Sequence, residues 1–146
     1  MSTFHLTQEV AAPVATVWAD LANLASHVEW MADAASITFV GDRRQGVGTR
    51  FDCVTRVGPL RTVDRMEVTR WDEGNELAVR HQGLVRGEGT FTLRPLGDDR
   101  TELAWREDLR FPWWLGGPVA GLAAAPVLRR LWRGNLVRFA ERFAGG

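Results

Sequence analysis

The chain contains no lysine and no tyrosine. All 18 basic residues are arginine, and 18 acidic residues balance them to a formal net charge of +0. A balanced chain has no global field to draw it onto nucleic acid, so no nucleic-acid partner is expected. The plain reading of the missing lysine is a genome with strong nucleotide bias, and no function is attached to it. Cysteine is nearly absent as well. Cys53 stands alone, cannot form an internal disulfide, and fits a reducing compartment. Long apolar runs are lacking: the stretch Leu115 to Leu128 stops at Arg129-Arg130, too short to span a bilayer. The polar start STFHLTQEV has no basic segment leading into an apolar run, so no secretory signal is expected and the location is expected to be cytoplasmic. The three histidines, His5, His27 and His81, are scattered, with no Cys or His pair at ligand spacing, so no metal is expected. There is no GxGxxG, and a strand rather than a helix follows Gly46-Val47-Gly48, so no phosphate or cofactor site is expected. Ser2, Ser26 and Ser36 include no GxSxG elbow.

What remains is the composition of an ordinary folded domain. Apolar residues make up 45% and charged residues 25%. With 146 residues, the chain is expected to be one domain over residues 1–146, with a core that needs no staples.

The longest pattern comes last. From Pro118 to Phe143, apolar residues recur at helical spacing: Val119, Leu122, Val127, Leu131, Trp132, Leu136 and Phe139. Pro118 suits a first helical turn, and Pro126 is expected to kink the helix near Ala123 to Ala125. Everything before this helix reads mainly as strands. Thr3 to Val10 alternates, with Phe4, Leu6 and Val10 on one side. Pro13 opens a short helix carrying Val14, Val17, Trp18 and Leu21. A second short helix or turn is expected over Ser26 to Ala32, with Ser26 as N-cap and Glu29 three residues on. Strands follow at Ser36 to Val40, Thr49 to Val57, Leu60 to Trp71, Glu76 to His81, Gly87 to Arg94 and Thr101 to Phe111. Glycine, proline and aspartate turns separate them at intervals of about ten residues, an antiparallel sheet signal.

This order carries a resemblance. The residues Pro13, Val17-Trp18, Leu21, Trp30, Gly46-Val47-Gly48, Val68 to Trp71, Thr101 to Trp105 and the closing helix resemble the START-like (SRPBCC) superfamily, and within it the polyketide cyclase/dehydrase branch. The resemblance implies an α+β helix-grip fold. In that fold a curved seven-stranded antiparallel sheet wraps a long C-terminal helix, and two short helices follow strand one. It also implies an apolar cavity between helix and sheet. Functions in the superfamily range from lipid carriage to polyketide cyclisation, so it indicates the fold more than the chemistry.

Strand parity names the expected cavity face. On it lie Phe51, Cys53, Met66, Val79, Phe91 and Trp105, with Leu122 and Val127 facing them from the helix. Trp30 is added as an indole able to stack on a flat ligand, with core packing as its alternative. Three ionisable residues fall on the same face: Asp64, His81 and Glu107. Buried carboxylates and a histidine among apolar side chains suit acid–base work on a carbonyl or hydroxyl group. A hydrogen-bonded structural pair is the plainer reading. Cys53 and His81 together suggest a nucleophile pair, but a small buried filler is the expectation for Cys53.

Two readings follow, and a third comes from the end of the chain. The first is reversible binding of a small hydrophobic ligand, aromatic or acyl. The second is a cyclase, dehydratase or aromatase using His81, Glu107 or Asp64. From Leu109 to Ala140 the only charged residues are Arg110, Arg129, Arg130, Arg133 and Arg138, close to Trp113 and Trp114. Arginine near a helix C-terminus complements the dipole. A membrane- or partner-facing patch is the third, less favoured reading. The oligomeric state is left open.

Overall fold

The computed structural model describes residues 2–144. Seven strands form one antiparallel sheet in the order β1-β7-β6-β5-β4-β3-β2. They are β1 (Ser2–Val10), β2 (Ala34–Val40), β3 (Arg50–Val57), β4 (Leu60–Asp72), β5 (Glu76–Gln82), β6 (Arg86–Gly97) and β7 (Arg100–Arg110). Helix α1 (Val14–Leu21) and a 3₁₀ helix (Leu24–Glu29) lie between β1 and β2, and α2 (Gly117–Glu141) closes the chain. This is the START-like helix-grip arrangement. Among the described residues, no helix is long and apolar enough to cross a membrane.

Alternation explains the strands. In β7 the buried residues are Thr101, Leu103, Trp105, Glu107 and Leu109, every second position without a break. A strand with that pattern can bury one face only. Three irregularities bend the sheet, between Ala34 and Ser36, Val68 and Arg70, and Pro95 and Gly97. The last of them lets β6 continue through Pro95 to Gly97, a segment the sequence suggests is a turn.

The second short helix starts earlier than expected and is capped differently. Asn23 holds the N-cap position, and Ser26 lies inside the helix, where its hydroxyl donates to the Asn23 carbonyl at 2.7 Å. Serine bonding back into the turn it belongs to competes with the capping role.

Helix α2 corrects the largest expectation. Val119 and Leu122 are 71% and 76% exposed, and Leu122 does not line the cavity. Of the expected stripe Trp132, Leu136 and Phe139 are buried, and Gly117, Gly121 and Asn135 complete it. Gly121 sets it. A Cβ there would stand 2.2 Å from Ser2 Oγ and 3.3 Å from the Phe111 ring, so a larger residue would have to displace the Ser2 hydroxyl for the helix to sit this close to β1. Val119 and Leu122 then fall on the opposite side of the helix. The helix runs on through Pro126, which is exposed. Its missing N–H leaves the Leu122 carbonyl to water rather than to the core.

A polar clasp fastens the second half of α2. Asp33, in the turn before β2, accepts hydrogen bonds from Asn135 Nδ2 at 2.8 Å and Trp132 Nε1 at 3.3 Å. Asn135 Oδ1 in turn accepts from the Ala32 N–H at 2.9 Å and from Arg138. Arg138 also donates to the Trp30 carbonyl. Asn135 is fully buried, so each of its bonds is made away from competing water. Asn135→Ala should therefore lower the unfolding free energy by about 3 kcal/mol, the cost of leaving buried polar partners unpaired. Urea titration would read this, and a loss under about 0.5 kcal/mol would show that the clasp is not structural.

Candidate functional site

The sheet and α2 enclose a cavity of about 280 Å³, close to the lower end of the range for small-molecule sites. Its floor comes from alternate residues of β3 to β7, and Ala124, Val127, Leu128 and Trp132 of α2 roof it. The outer end is formed by the β3–β4 hairpin (Val57, Leu60), the β5–β6 turn (Leu84, Val85) and Phe111. Two shallower surface depressions lie elsewhere, one beside Trp18 and Glu73 and one between Arg80, Arg86 and Arg110.

Most of the residues selected by strand parity line the cavity: Phe51, Cys53, Asp64, Met66, Val79, His81, Phe91, Trp105 and Glu107. From the helix, Val127 reaches it, although it is 57% exposed. Two expected residues do not line it. Leu122 faces solvent, for the reason given above. Trp30 sits in the core, with its ring centroid 5.0 Å from Phe139, 6.1 Å from Phe91 and 6.4 Å from Trp105. It backs the cavity wall rather than forming it, and its Nε1–H has no partner among the described residues. The wall itself is aromatic. Phe91 lies 5.0 Å from Trp105, and Trp105 lies 5.5 Å from Trp132, the spacing of interlocking rings.

The polar groups fall into two sets. In the first, Glu107 on β7 accepts from Trp105 Nε1–H at 3.0 Å and meets His81 Nε2 at 3.1 Å. Gly89 on the strand between them makes the space, because a Cβ there would lie 2.3 Å from Glu107 Oε1. Burial opposes a charged His81. The Glu107 carboxylate outweighs it through its charge and hydrogen bond, helped by Asp64 and Asp33, and the His81 pKa is raised. In the second set, Asp64 on β4 accepts from Thr55 Oγ1 at 2.9 Å and Thr62 Oγ1 at 3.4 Å. Gly83 leaves room for its other oxygen, which a Cβ would approach to 1.8 Å.

Cys53 is no nucleophile here. Burial pushes its thiol up to about 11, and its sulfur bonds with Thr55 rather than with His81. Among the described residues, no cluster of three potential ligands could hold a metal ion.

His27 also lines the cavity, a position that scattered spacing along the sequence does not reveal. Its Nε2 lies 2.7 Å from the Leu21 carbonyl, which can only accept, so Nε2 carries the proton. Burial lowers its pKa to about 4. The ring is therefore neutral, and Nδ1 is left as an acceptor.

The chain has the architecture of a START-like helix-grip protein. It aligns with a START superfamily protein from Mycobacterium smegmatis at a TM-score of 0.77 and 19% identity, covering 96% of this chain and 97% of that one. An aromatase/cyclase from Streptomyces aligns at 0.82 and 16% identity, over 99% and 98% of the two chains. A conserved protein from Geobacillus kaustophilus aligns at 0.80 and 17%, over 98% and 95%. At these identities the likeness speaks for the fold alone. In sequence, residues 1–144 match the family model described as polyketide cyclase / dehydrase and lipid transport, and the chain belongs to that family. A search of curated proteins finds no match.

The two histidines give opposite pH signs. His27 has a folded pKa below its unfolded value, so its stabilising effect is present above about 6.5 and is lost as pH falls toward about 4. His81, with a raised pKa, stabilises fully below about 6.5 and loses that effect as pH rises through its folded value. Acidification from pH 7 should thus cost about 3 kcal/mol through His27 alone. His27→Gln, which keeps a donor for Leu21, should flatten this acid limb. Thermal melts of both proteins at several pH values would read it, and parallel curves would refute the assignment.

Proposed function

We propose that the protein reversibly binds a small, partly aromatic hydrophobic molecule in the cavity between sheet and α2. The observation that carries this is a partly open apolar and aromatic cavity with a small set of polar groups on its wall. Phe91, Trp105 and Trp132 offer ring faces, and Phe51, Met66, Val79 and Val127 offer aliphatic and aromatic walls. His81 and Glu107 lie side by side on that surface and would fix a hydroxyl or carbonyl at one end. Membership of a family described by cyclisation, dehydration and lipid transport supports a ligand-binding or cyclase-type role. Of these, binding asks least of the residues present.

A second reading, catalysis of a cyclase or dehydratase kind, is favoured by one observation. His81 is held toward its charged form against a carboxylate, on a cavity wall. A charged imidazole can donate a proton or polarise a carbonyl.

Native mass spectrometry of freshly purified protein, followed by denaturation, tests the first reading. A discrete small molecule released in near-stoichiometric amount is the expected result. A bare chain that also fails to take up added 2-naphthol in calorimetry would overturn it. The second reading predicts that His81→Asn and Glu107→Gln each lower turnover of a polyketide-like substrate by at least about a hundredfold, the usual size of a general-acid contribution. Unchanged turnover in both would remove it.

A further inference from the structure

The arginines and the carboxylates are segregated. All 18 basic residues of the chain are arginine, and none of them lines the cavity. The charged side chains that do line it are Asp33, Asp64, Glu107 and His81. Outside, acids meet guanidinium groups: Glu67 with Arg50 and Arg80, Asp52 with Arg65, Asp20 with Arg142. Inside, they meet mostly neutral donors. Asp33 takes its bonds from Asn135 and Trp132. Asp64 takes both of its bonds on Oδ2, from Thr55 and Thr62. Only Glu107 has a group able to carry positive charge beside it, in His81. Three carboxylates therefore share one imidazole, and His27 adds a lone pair rather than a charge.

A ligand entering such a space gives up its hydration. An anionic end would find no guanidinium or ammonium to replace that hydration, and it would face carboxylates. A neutral hydroxyl or amine would find acceptors. An ammonium would find Asp64 with an oxygen that carries no protein hydrogen bond among the described residues.

We propose that the cavity sorts ligands by charge, taking ring-bearing molecules whose polar end is cationic or neutral and rejecting the carboxylate, phosphate or sulfonate counterpart. Asp64 and Glu107 are the selectivity-determining residues, and the discrimination works mainly by repelling the wrong head group. It rests on the cavity-binding reading above. The formal net charge of +0 means that the overall field of the protein contributes little to the discrimination.

Isothermal titration at neutral pH and low salt, with three compounds that share one ring system, tests it: 2-naphthylmethylamine, 2-naphthol and 2-naphthoate. The amine should bind at least as tightly as the naphthol. The naphthoate should bind at least about tenfold more weakly, a difference of about 1.4 kcal/mol. The amine should displace the naphthol, and Val79→Phe, which fills the cavity, should weaken all three. Asp64→Asn keeps an oxygen for Thr55 and Thr62 and should bring the three affinities within about threefold of one another. Glu107→Gln should narrow the same gap independently. Naphthoate binding as tightly as naphthol to the unmodified protein would overturn the charge rule while leaving a cavity binder. Failure of all three to bind would remove the cavity-binding reading and this one with it.

Discussion

The hydrogen bonds from Trp132 and Asn135 to Asp33 decide what the rest of the structure can be. Helix α2 crosses a sheet whose concave face is apolar, and hydrophobic burial alone would pull the whole helix down onto it. The clasp stops that. It fixes the helix at one end to the turn before β2, which the Asp33 carbonyl also ties to the Arg56 N–H of β3 at 2.8 Å. At the other end Gly121 rests against Ser2 and Phe111. Between these two points the helix bridges the sheet, and the cavity is the space beneath. Asp33 itself lines that space, so the residue that holds the roof also contributes to the field a ligand meets.

Two glycines act as counterparts to the cavity acids. Gly89 gives Glu107 its place and Gly83 gives Asp64 its place, and in each case a single added carbon would overlap a carboxylate oxygen. With a side chain at either glycine, the facing carboxylate would have to move from its present place. The hydroxyls of Thr55 and Thr62 bond one oxygen of Asp64, and the indole of Trp105 bonds one oxygen of Glu107, without bringing in positive charge. Neutral donors are a costlier way to hold a carboxylate in an apolar space than an arginine would be. The gain is that the negative character is left for a ligand to meet.

How much of this could be read from the sequence depends on which rule each residue obeys. The strand faces were legible because β3 to β7 alternate cleanly where they border the cavity, and the bulge at Val68–Arg70 falls beyond Met66. Asp64, His81 and Glu107 could be picked out by parity for that reason. In α2 the pattern finds Trp132, Leu136 and Phe139 but misplaces the first half, because hydrophobic patterns weigh large residues whereas the contact stripe begins with Gly117 and Gly121. Leu122 was the consequence. Trp30 follows a 3₁₀ helix with no period to say which way it points, and packing against Phe139 decided it. His27 and Asp33 were invisible for a further reason. Their roles come from contacts with Leu21 and with α2, and nothing local in the sequence signals either contact.

The arrangement of His81 and Glu107 also bears on what chemistry the cavity could support. A general base needs a free lone pair aimed at the proton it takes. Glu107 Oε1 accepts from Trp105 and Oε2 meets His81, and each oxygen keeps a second lone pair. The Glu107 carboxylate beside His81 raises its pKa against the opposing effect of burial. When the imidazole is protonated, the pair offers donation: an N–H on the ring, fixed by a carboxylate behind it. Such a group recognises a carbonyl or hydroxyl oxygen and can stabilise negative charge that develops there. A hydrogen bond from His81 to an oxygen would polarise that oxygen in a molecule that reacts, and the same bond made to a ligand that does not react is binding.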